Sequence, residues 1–470
     1  MKNKKTKGFS LTPFRQNRSF HELQFDKSAC FTKSISTKRC IFAAKFFIME
    51  RAIINQNPHW SGKSYTNLQE RSLYDILLNN LQTKHIQILT GIRRSGKSSL
   101  FRMIINQLMQ HTKPKSILLL NMDDPLYYEV WEKPALLYDL IEVAEKLTGE
   151  KIKYLFIDEA QAVKGWETFV KSVYDSEIFT KIFITGSNSS FLQNEYSTLL
   201  SGRYLDNKVF PYSFKEILLN SGINSFLDLS SQTPKVLSLL DDCLEWGCFP
   251  EIKALRSNDI KLNLLKSYFD SIIMKDCVSR YAIADVALFK KMLLYSVSNA
   301  GAVFSYKSLG TTIGNNENTV KKYINILNES YIIRDISNFA FSMRENVRSS
   351  HKIYVSDTGL MNAISYRFWD NLAKLFENFV FNELQKQNNE EITFVNNAGE
   401  CDFLVKDGFD YQAFQVCYQV TPENQKRECA GFEKMAKQIN VSRKIILTYN
   451  QEQQIGDIEV IPVWKFFFET

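Results

Sequence analysis

The stretch Leu89-Thr90-Gly91-Ile92-Arg93-Arg94-Ser95-Gly96-Lys97-Ser98-Ser99 lies between a run typical of a buried strand and a run typical of a helix. It has the spacing G-x-x-x-x-G-K-[ST], and its place between strand and helix separates it from a chance match. The two glycines let the backbone curve around an anion without Cβ clashes, and the dipole of the following helix adds positive potential there. The stretch therefore predicts an α/β domain whose loop binds the phosphates of a nucleoside triphosphate.

The charged and hydroxyl side chains of this loop have predicted roles. The Lys97 ammonium reaches the β- and γ-phosphates, and the Ser98 hydroxyl ligates Mg²⁺. Arg93 and Arg94 lie inside the loop and either contact phosphate or face solvent. The predicted phosphate-binding residues are Gly91, Arg93, Arg94, Ser95, Gly96, Lys97, Ser98 and Ser99.

A second motif ends the third predicted strand. In Tyr154-Leu155-Phe156-Ile157-Asp158-Glu159 an apolar run ends in two carboxylates, with one predicted strand between it and the loop. Asp158 is predicted to hold Mg²⁺ through water, and Glu159 to polarise the attacking water. The sequence has no N-K-x-D tetrapeptide for guanine. The two motifs therefore predict hydrolysis of ATP, with Mg²⁺ as the cofactor.

Two further positions are predicted to complete the catalytic set. Ser187 or Asn188, after the fourth predicted strand, can orient the attacking water, although Gly-Ser-Asn also suits a plain turn. Arg203 precedes the fifth strand, where it can neutralise charge on the transferred phosphoryl in cis or across subunits, or can form a structural salt bridge. The predicted catalytic residues are Lys97, Glu159, Asn188 and Arg203.

The positive charge of the chain is concentrated in its first 48 residues. The 470 residues include 58 Lys and Arg against 51 Asp and Glu, a formal charge of +7. Residues 1–48 hold 11 basic residues and two acids, which gives +9, so the other 422 residues carry 7 − 9 = −2. This leader has the composition of a transit peptide and equally that of a disordered nucleic-acid-binding arm, but the favoured interpretation is that translation starts downstream of it, at Met49.

Composition argues against several classes of protein. No apolar run approaches the ~20 residues of a membrane-spanning helix, so no membrane association is expected. The eight cysteines form no C-x-x-C pair and the five histidines show no H-x-x-x-H spacing. Neither a disulfide framework nor a zinc site is therefore predicted, and a cytoplasmic location is favoured.

The pattern of apolar runs divides the chain after its leader into four predicted parts. Residues 49–215 alternate strands with helices, as in a parallel sheet with crossover helices. Residues 216–284 are predicted to be helical, residues 285–355 to form a winged helix and residues 356–470 to form another α/β domain. The predicted strands of the first part are Ile86–Thr90, Ser116–Asn121, Tyr154–Asp158, Lys181–Thr185 and Asp206–Phe210.

The winged-helix prediction rests on three helices and two strands. Helices are expected over Leu288–Ser298, from Ser305, and in a third segment with one apolar face made by Val320, Tyr323, Ile324 and Leu327. The predicted wing strands are Tyr331–Ile336 and Lys352–Val355. Such units place their third helix in the major groove of DNA and their wing against phosphate. The candidate contacts are Asn315, Asn316, Asn318, Lys321, Lys322, Arg344, Arg348 and Lys352.

In their order along the chain, these motifs resemble a family of bacterial and archaeal AAA-type P-loop ATPases that carry a C-terminal domain of unknown function. The resemblance extends from about residue 50 to the end and implies ATP binding. Besides the loop, it is carried by Phe156–Gln161, Ile184–Ser190, Leu200–Arg203, Phe210–Glu216, Trp246–Pro250 and Phe376–Val380.

The last part of the chain also resembles a PD-(D/E)xK nuclease fold. Glu377 lies on a predicted helix and Asp402 begins a predicted strand, as that fold requires, but Gln415-Val416-Cys417 stands where Glu-x-Lys is expected. Gln removes a metal-binding charge and Cys does not replace the ammonium. The departure favours a relic fold that binds nucleic acid or protein over a working nuclease.

The sequence leaves more than one function open. The first hypothesis is an ATP-driven conformational switch that engages double-stranded DNA through the winged helix. A slightly acidic body argues against DNA, so the alternative is an ATP-dependent regulator of a protein partner, without nucleic acid. A helicase, suggested by Asp158-Glu159-Ala160-Gln161, is disfavoured because residues 216–470 do not resemble a second nucleotide-binding lobe.

Overall fold

The computed structural model describes residues 49–189, 198–340, 350–365, 372–387, 391–396 and 399–470. The predicted leader and the candidate wing contacts Arg344 and Arg348 lie outside these residues. The chain divides into one unit of residues 1–51 and another of residues 52–470, and every element named below belongs to the second unit.

A five-stranded parallel sheet forms the first part of this unit, as predicted. Its spatial order is β2-β3-β4-β1-β5, and every neighbouring pair is parallel. All residues of the central strands β1 and β4 are buried, as strands covered on both faces should be. The strands are β1 (Ile86–Thr90), β2 (Ile117–Asn121), β3 (Tyr154–Asp158), β4 (Lys181–Gly186) and β5 (Tyr204–Lys208).

Helices cover this sheet and an aromatic cluster fixes one of them to it. The rings of Phe156 and Phe183 stack with their centroids 4.5 Å apart, and Phe101 packs edge-on against Phe156. Phe101 lies on the helix that follows the glycine-rich loop, so the sheet core sets the direction of that helix. The helices are α1 (Ser72–Asn79), α2 (Lys97–Leu108), α3 (Tyr128–Trp131), α4 (Leu136–Thr148) and α5 (Trp166–Asp175).

A helical region follows the sheet. A capping box, in which Ser213 and Glu216 satisfy each other's backbone N–H groups, starts its first helix. Its last helix continues into a π-helical segment, Ile272–Ser279. The α-helices are α6 (Phe214–Asn220), α7 (Phe226–Ser231), α8 (Thr233–Trp246), α9 (Pro250–Lys253) and α10 (Asn258–Ser271).

Three helices and an antiparallel strand pair come next, close to the predicted ranges. They are α11 (Val286–Ser298), α12 (Tyr306–Ile313), α13 (Glu317–Glu329), β6 (Ile333–Ser337) and β7 (His351–Val355). Ser305 caps α12, and Gly314 ends it in a left-handed conformation with a φ of 78°. The predicted apolar face of α13 is buried.

A mixed six-stranded sheet with helices forms the end of the chain and confirms the predicted α/β arrangement. The sheet has the order β12-β13-β11-β10-β9-β8, with parallel pairs at β10/β11 and β11/β13. Its strands are β8 (Ile392–Val395), β9 (Cys401–Asp407), β10 (Asp410–Val416), β11 (Val441–Thr448), β12 (Gln453–Ile455) and β13 (Ile458–Pro462). The helices are α14 (Thr358–Ile364), α15 (Leu372–Lys386), α16 (Pro422–Met435) and α17 (Val463–Glu469).

The hydrophobic cores extend across the predicted domain limits. One core joins Val236 of α8 and Tyr354 of β7 to Phe379 of α15 and Phe414 of β10. Another contains Ile92, from the glycine-rich loop, together with residues of the helical region and of the three-helix unit. The domain limits therefore stay a prediction. In the part of the chain that the structure describes, no helix has the length and apolarity to cross a membrane.

Candidate nucleotide-binding site

The glycine-rich loop curves between β1 and α2 because two of its residues adopt backbone angles that other amino acids rarely do. Gly91 has a φ of 145°, and a Cβ atom there would lie 2.1 Å from the carbonyl oxygen of Val209. Gly96 has a φ of 103° and directly precedes the first residue of α2. The loop thus turns at the carboxyl edge of the sheet and leads into a helix N-terminus, the geometry that suits phosphate.

Lys97 is buried beneath this loop. Its Nζ atom donates hydrogen bonds to the carbonyl oxygens of Gly91 at 2.7 Å and Ile92 at 3.0 Å. Burial lowers the pKa of Lys97, and the carboxylates of Glu159 and Asp158 oppose that effect. A bound phosphate chain would add further negative charge beside the ammonium, so the position suits the predicted contact.

The side chains of Ser98 and Asp158, the two predicted Mg²⁺ ligands, are in direct contact. The Ser98 hydroxyl donates to Asp158 Oδ2 at 2.6 Å, and Thr185 donates to Asp158 Oδ1 at 2.5 Å. Hydroxyl and carboxylate oxygens are ligands that Mg²⁺ accepts, and this ion usually keeps water and phosphate oxygens as its other ligands. Within the described ranges, no group of three or more His, Cys, Asp or Glu could hold a metal ion. Because Mg²⁺ keeps phosphate oxygens among its ligands, a hydroxyl and a carboxylate side by side fit an ion that arrives with a nucleotide.

Glu159 follows Asp158 with an unusual backbone conformation. Its φ is 55°, in the left-handed region that non-glycine residues seldom occupy, and such residues cluster at functional sites. The Thr185 hydroxyl accepts a hydrogen bond from the Glu159 backbone N–H at 2.9 Å. Gln161 donates from Nε2 both to the Glu159 carboxylate and, at 3.1 Å, to the Ser187 hydroxyl. Glu159 is thus held beside the predicted Mg²⁺ ligand and close to the loop after β4.

Arg93 is ion-paired to a residue that the sequence did not suggest. Its Nε and Nη2 atoms donate to the two carboxylate oxygens of Asp276, at 2.9 and 3.0 Å. Asp276 is buried and belongs to the π-helical segment. Although burial disfavours the charged form, the hydrogen bonds to Asp276 raise the pKa of Arg93. Asp276 also accepts from the Ser187 hydroxyl at 2.9 Å. One carboxylate from the helical region therefore contacts both the phosphate loop and the loop after β4.

Arg71 is a second contact that sequence patterns did not suggest. Its Nη1 atom donates to the carbonyl oxygen of Ser95 at 2.8 Å, and its Nε atom donates to Glu216 at 3.1 Å. Burial alone would raise the pKa of Glu216, but Arg71 and backbone donors at Ser213 and Ser72 lower it. Arg71 therefore ties the phosphate loop to the first turn of α6, and both charges are compensated in the interior.

The remaining loop side chains face different surroundings. Arg94 lies largely exposed, 3.4 Å from Glu251 and over the ring of Tyr268. The Ser95 hydroxyl is buried with no hydrogen-bond partner among the described residues, and Ser99 is half-buried on α2. Their predicted contacts with phosphate stay predictions.

Asn188 contacts the helical region. Its Nδ2 atom donates to the Tyr281 hydroxyl at 3.2 Å, and that hydroxyl donates to Glu329 at the end of α13. The next residue, Ser189, donates its backbone N–H to the Glu329 carbonyl at 2.8 Å. The hydroxyl of Ser187 accepts from Gln161, which also donates to Glu159. The water-orienting role of Asn188 stays a prediction.

Arg203 lies at the edge of the sheet opposite the phosphate loop. Its carbonyl oxygen accepts from the N–H of Ile86, where β1 begins, whereas the loop follows the other end of β1. Five strand residues at ~3.3 Å each separate the two edges by roughly 16 Å. The guanidinium pairs instead with Asp175, at 2.8 Å. The predicted action in cis is therefore not supported, and action across subunits stays a prediction.

Lys352 does not lie where a wing contact to DNA would need it. The side chain is buried, with Nζ 3.1 Å from Glu377 Oε1 and 3.3 Å from Asp402 Oδ1. The predicted phosphate contact at Lys352 is therefore wrong, because α15 and β9 cover this position and their carboxylates neutralise it. Burial, and then the charge of Asp402, raise the pKa of Glu377 to about 7.

Two family models match parts of the chain, and relatives match most of it. Residues 83–218 match the model of an AAA domain, and residues 237–371 match that of a domain of unknown function, DUF8612. The uncharacterized protein MJ1544 of Methanocaldococcus jannaschii is 31% identical over 402 residues, which cover 81% of this chain and 88% of that protein. An uncharacterized protein of Haemophilus influenzae is 28% identical over 396 residues, 82% of this chain and 95% of its own.

Solved structures resemble the chain only distantly. The Aeropyrum pernix Orc1 protein in complex with DNA is 12% identical, covers 62% of this chain and 90% of its own, and has a TM-score of 0.29. AMPPCP-bound DnaA from Aquifex aeolicus is 13% identical, covers 58% and 92%, and has a TM-score of 0.26. Likeness at this level carries no argument about function. The relatives and the AAA match show that the chain belongs to a family of archaeal and bacterial AAA-type P-loop ATPases with a C-terminal domain of unknown function, which includes MJ1544.

Proposed function

We propose that this protein hydrolyses ATP with Mg²⁺ and that hydrolysis changes the contacts between its nucleotide-binding domain and the helical region. The observation that carries the proposal is the direct contact of Ser98 with Asp158, with Glu159 beside it and Lys97 beneath the loop. This arrangement provides a metal ligand pair, a base and a cation at one edge of the sheet, which is what phosphoryl transfer to water requires.

The side chains divide the chemistry among them. The loop N–H groups and Lys97 bind the phosphates, while Glu159 accepts a proton from the attacking water. The oxygen of that water bonds to the γ-phosphorus, and the bond from this phosphorus to the β–γ bridging oxygen breaks, which leaves ADP and inorganic phosphate. When bound through Ser98 and Asp158, Mg²⁺ supplies charge that stabilises the phosphate oxygens.

The contacts of the two loops around the γ-phosphate position support a conformational role. Arg93 of the first loop pairs with Asp276, and Asn188 of the second contacts Tyr281. Both partners belong to the helical region. Loss of the γ-phosphate removes negative charge next to both loops. We expect the contacts of Arg93 with Asp276 and of Asn188 with Tyr281 to change as a result and to move the helices that carry Asp276 and Tyr281.

Turnover of ATP by two variants tests the hydrolytic site. Lys97→Ala is expected to lose nucleotide binding, because its phosphate cation is removed. Glu159→Gln is expected to bind ATP with near wild-type affinity but to turn over at least about 100-fold more slowly, because the amide cannot accept the proton. Fluorescent-nucleotide titration and phosphate release measure the two quantities. Unchanged turnover in both variants would contradict the site.

A DNA-binding use of the three-helix unit is a second candidate. The order of α11, α12, α13 and the β6/β7 pair is that of a winged helix. Asn316, the N-cap of α13, is exposed, and Asn318 and Lys322 are exposed on the side of α13 opposite its buried apolar face. These polar groups favour an interaction with DNA in the major groove. A protein partner at the same face is the competing hypothesis.

A further inference from the structure

The guanidinium of Arg93 is held along one side only. Asp276 accepts from Nε at 2.9 Å and from Nη2 at 3.0 Å, a bidentate contact that fixes the plane of the group. A guanidinium has five N–H donors, so this contact leaves three, on Nη1 and Nη2. An arginine anchored in this way keeps donors for a second ligand.

The two nitrogens that carry the remaining donors each lie near a further carboxylate, and for Nη2 this is the predicted base. Nη2 is 3.9 Å from Glu159 Oε2, and Nη1 is 3.7 Å from Asp123 Oδ2. Both distances exceed those of hydrogen bonds. The terminal phosphate must lie near Glu159 if that residue is to activate water against it, so its oxygens would come within reach of these donors.

Asp276 is well placed to fix Arg93. It is 1% exposed and contacts Ser187 as well as Arg93, so its own position is determined from two sides. Ser187 is in turn connected through Gln161 to Glu159. Asp276 belongs to a π-helical segment, and π-helices are rare and often occur at functional sites. This segment lies outside the residues that match the AAA domain.

We propose that Arg93 is a catalytic residue that contacts the terminal phosphate of bound ATP, and that Asp276 is the positioning residue that orients it. The inference rests on the proposed hydrolysis of ATP and gives Arg93 the role predicted for Arg203. In phosphoryl transfer, negative charge spreads over the oxygens of the transferred group. A guanidinium fixed before the reaction stabilises that charge without reorganisation. The helical region therefore completes the active site through one carboxylate.

Kinetics of Asp276→Asn test the proposal, with Asp123→Asn as the matched control. Both changes neutralise a carboxylate that faces Arg93, but only Asp276 makes the bidentate contact. We expect Asp276→Asn to lower kcat about 10-fold while the Kd for ATP changes by less than about threefold, because orientation matters most in the transition state. Asp123→Asn should change neither quantity more than about twofold, and Asp276→Glu should recover part of kcat.

Arg93→Lys separates positioning from a structural role. This change keeps a positive charge beside Asp276 but removes the fork, so kcat is expected to fall at least about 10-fold. Adding Asp276→Asn to Arg93→Lys should lower kcat no further, because Asp276 acts through Arg93. A purely structural role for Asp276 would make the two losses additive and would affect Kd and melting temperature as much as kcat.

The outcomes distinguish the proposal from the function on which it rests. If the wild-type protein does not turn over ATP, both fail. If the wild type turns over ATP and Glu159→Gln is slow, but Asp276→Asn behaves like Asp123→Asn, only the assignment of Arg93 and Asp276 fails. If Asp276→Asn does not fold, the charge-conserving Arg93→Lys and Asp276→Glu variants decide, and wild-type kcat in both would refute the assignment.

Discussion

Gly91 has less room for a side chain than Gly96, the other glycine of the phosphate loop. A Cβ atom would meet the carbonyl oxygen of Val209, which is backbone and cannot rotate away, and the φ of 145° is itself unfavourable for other residues. We expect Gly91→Ala to displace the loop and to weaken ATP binding at least about 10-fold, since the N–H groups no longer converge on the phosphates. Nucleotide titration measures the effect.

Gly149→Ala is the control for this prediction. Gly149 has a φ of 68°, and a Cβ atom there would meet nothing within 4 Å. The substitution should cost about 1 kcal/mol of unfolding free energy from backbone strain alone and leave ATP affinity unchanged. Equal affinity in the two variants would show that the close approach of Val209 does not shape the loop.

Whether a site residue could be predicted from the sequence depends on how far it is from its partners along the chain. Lys97, Ser98, Asp158 and Glu159 could be predicted because each belongs to a short motif next to a strand. Asp276 could not, because it contacts Arg93 across 183 residues. Arg203 precedes β5 at the edge of the sheet where β1 begins, and it pairs with Asp175, so the structural salt bridge among its predicted roles is the one observed and its catalytic role stays a prediction.

At the scale of elements, β7, α15 and β9 are joined by a cluster of ion pairs. Lys352 of β7 lies between Glu377 of α15 and Asp402 of β9. Burial raises the pKa of Glu377 to about 7, from an ordinary value of 4.5. Between these two pH values the folded state binds a proton that the unfolded state has lost. The stability contributed by this group is therefore present at low pH and declines as pH rises through 7.

Glu377→Gln is expected to remove that pH dependence. As pH rises from 4.5 to 7, the wild type should lose unfolding free energy relative to the variant, by at most about 1.4 kcal/mol per pH unit. Denaturant unfolding at several pH values measures the difference. Glu142→Gln, on an exposed pair with Lys146, is the control and should show a constant difference. A constant difference for Glu377→Gln as well would contradict the shifted pKa.

The elements themselves were largely predictable, and the exceptions have physical causes. The apolar periodicity of α13 and the buried strands β1, β3 and β4 follow directly from side-chain pattern. β5 covers Tyr204–Lys208, two residues earlier than predicted. It is an edge strand with polar, partly exposed residues, so the apolar pair Val209 and Phe210, which follows the strand, drew the prediction towards the C-terminus. The burial of Lys352 could not be predicted because the packing of α15 against β7 is a tertiary contact.

The exposed polar face of α13 gives a prediction for the whole molecule. If the three-helix unit binds duplex DNA, the logarithm of the association constant should fall linearly with the logarithm of salt concentration, because phosphates release counterions. Lys322→Ala should weaken binding and make the slope less steep by about one. Lys146→Ala, an exposed lysine on α4, is the control. Absence of binding at low salt would favour the protein-partner hypothesis, which capture of partners after nuclease treatment would support.

The side chain of Ile92 packs the phosphate loop against later parts of the chain. This packing limits where the chain can be cut into fragments that fold. Its side chain is 2% exposed and lies in a core otherwise built from residues of the helical region, the three-helix unit, α14 and α15. A fragment cut after the first sheet would leave this side chain without its packing partners, next to the glycine that turns the loop. The phosphate loop and the helical region therefore share one core, so a substitution in that core is expected to alter the position of the loop as well.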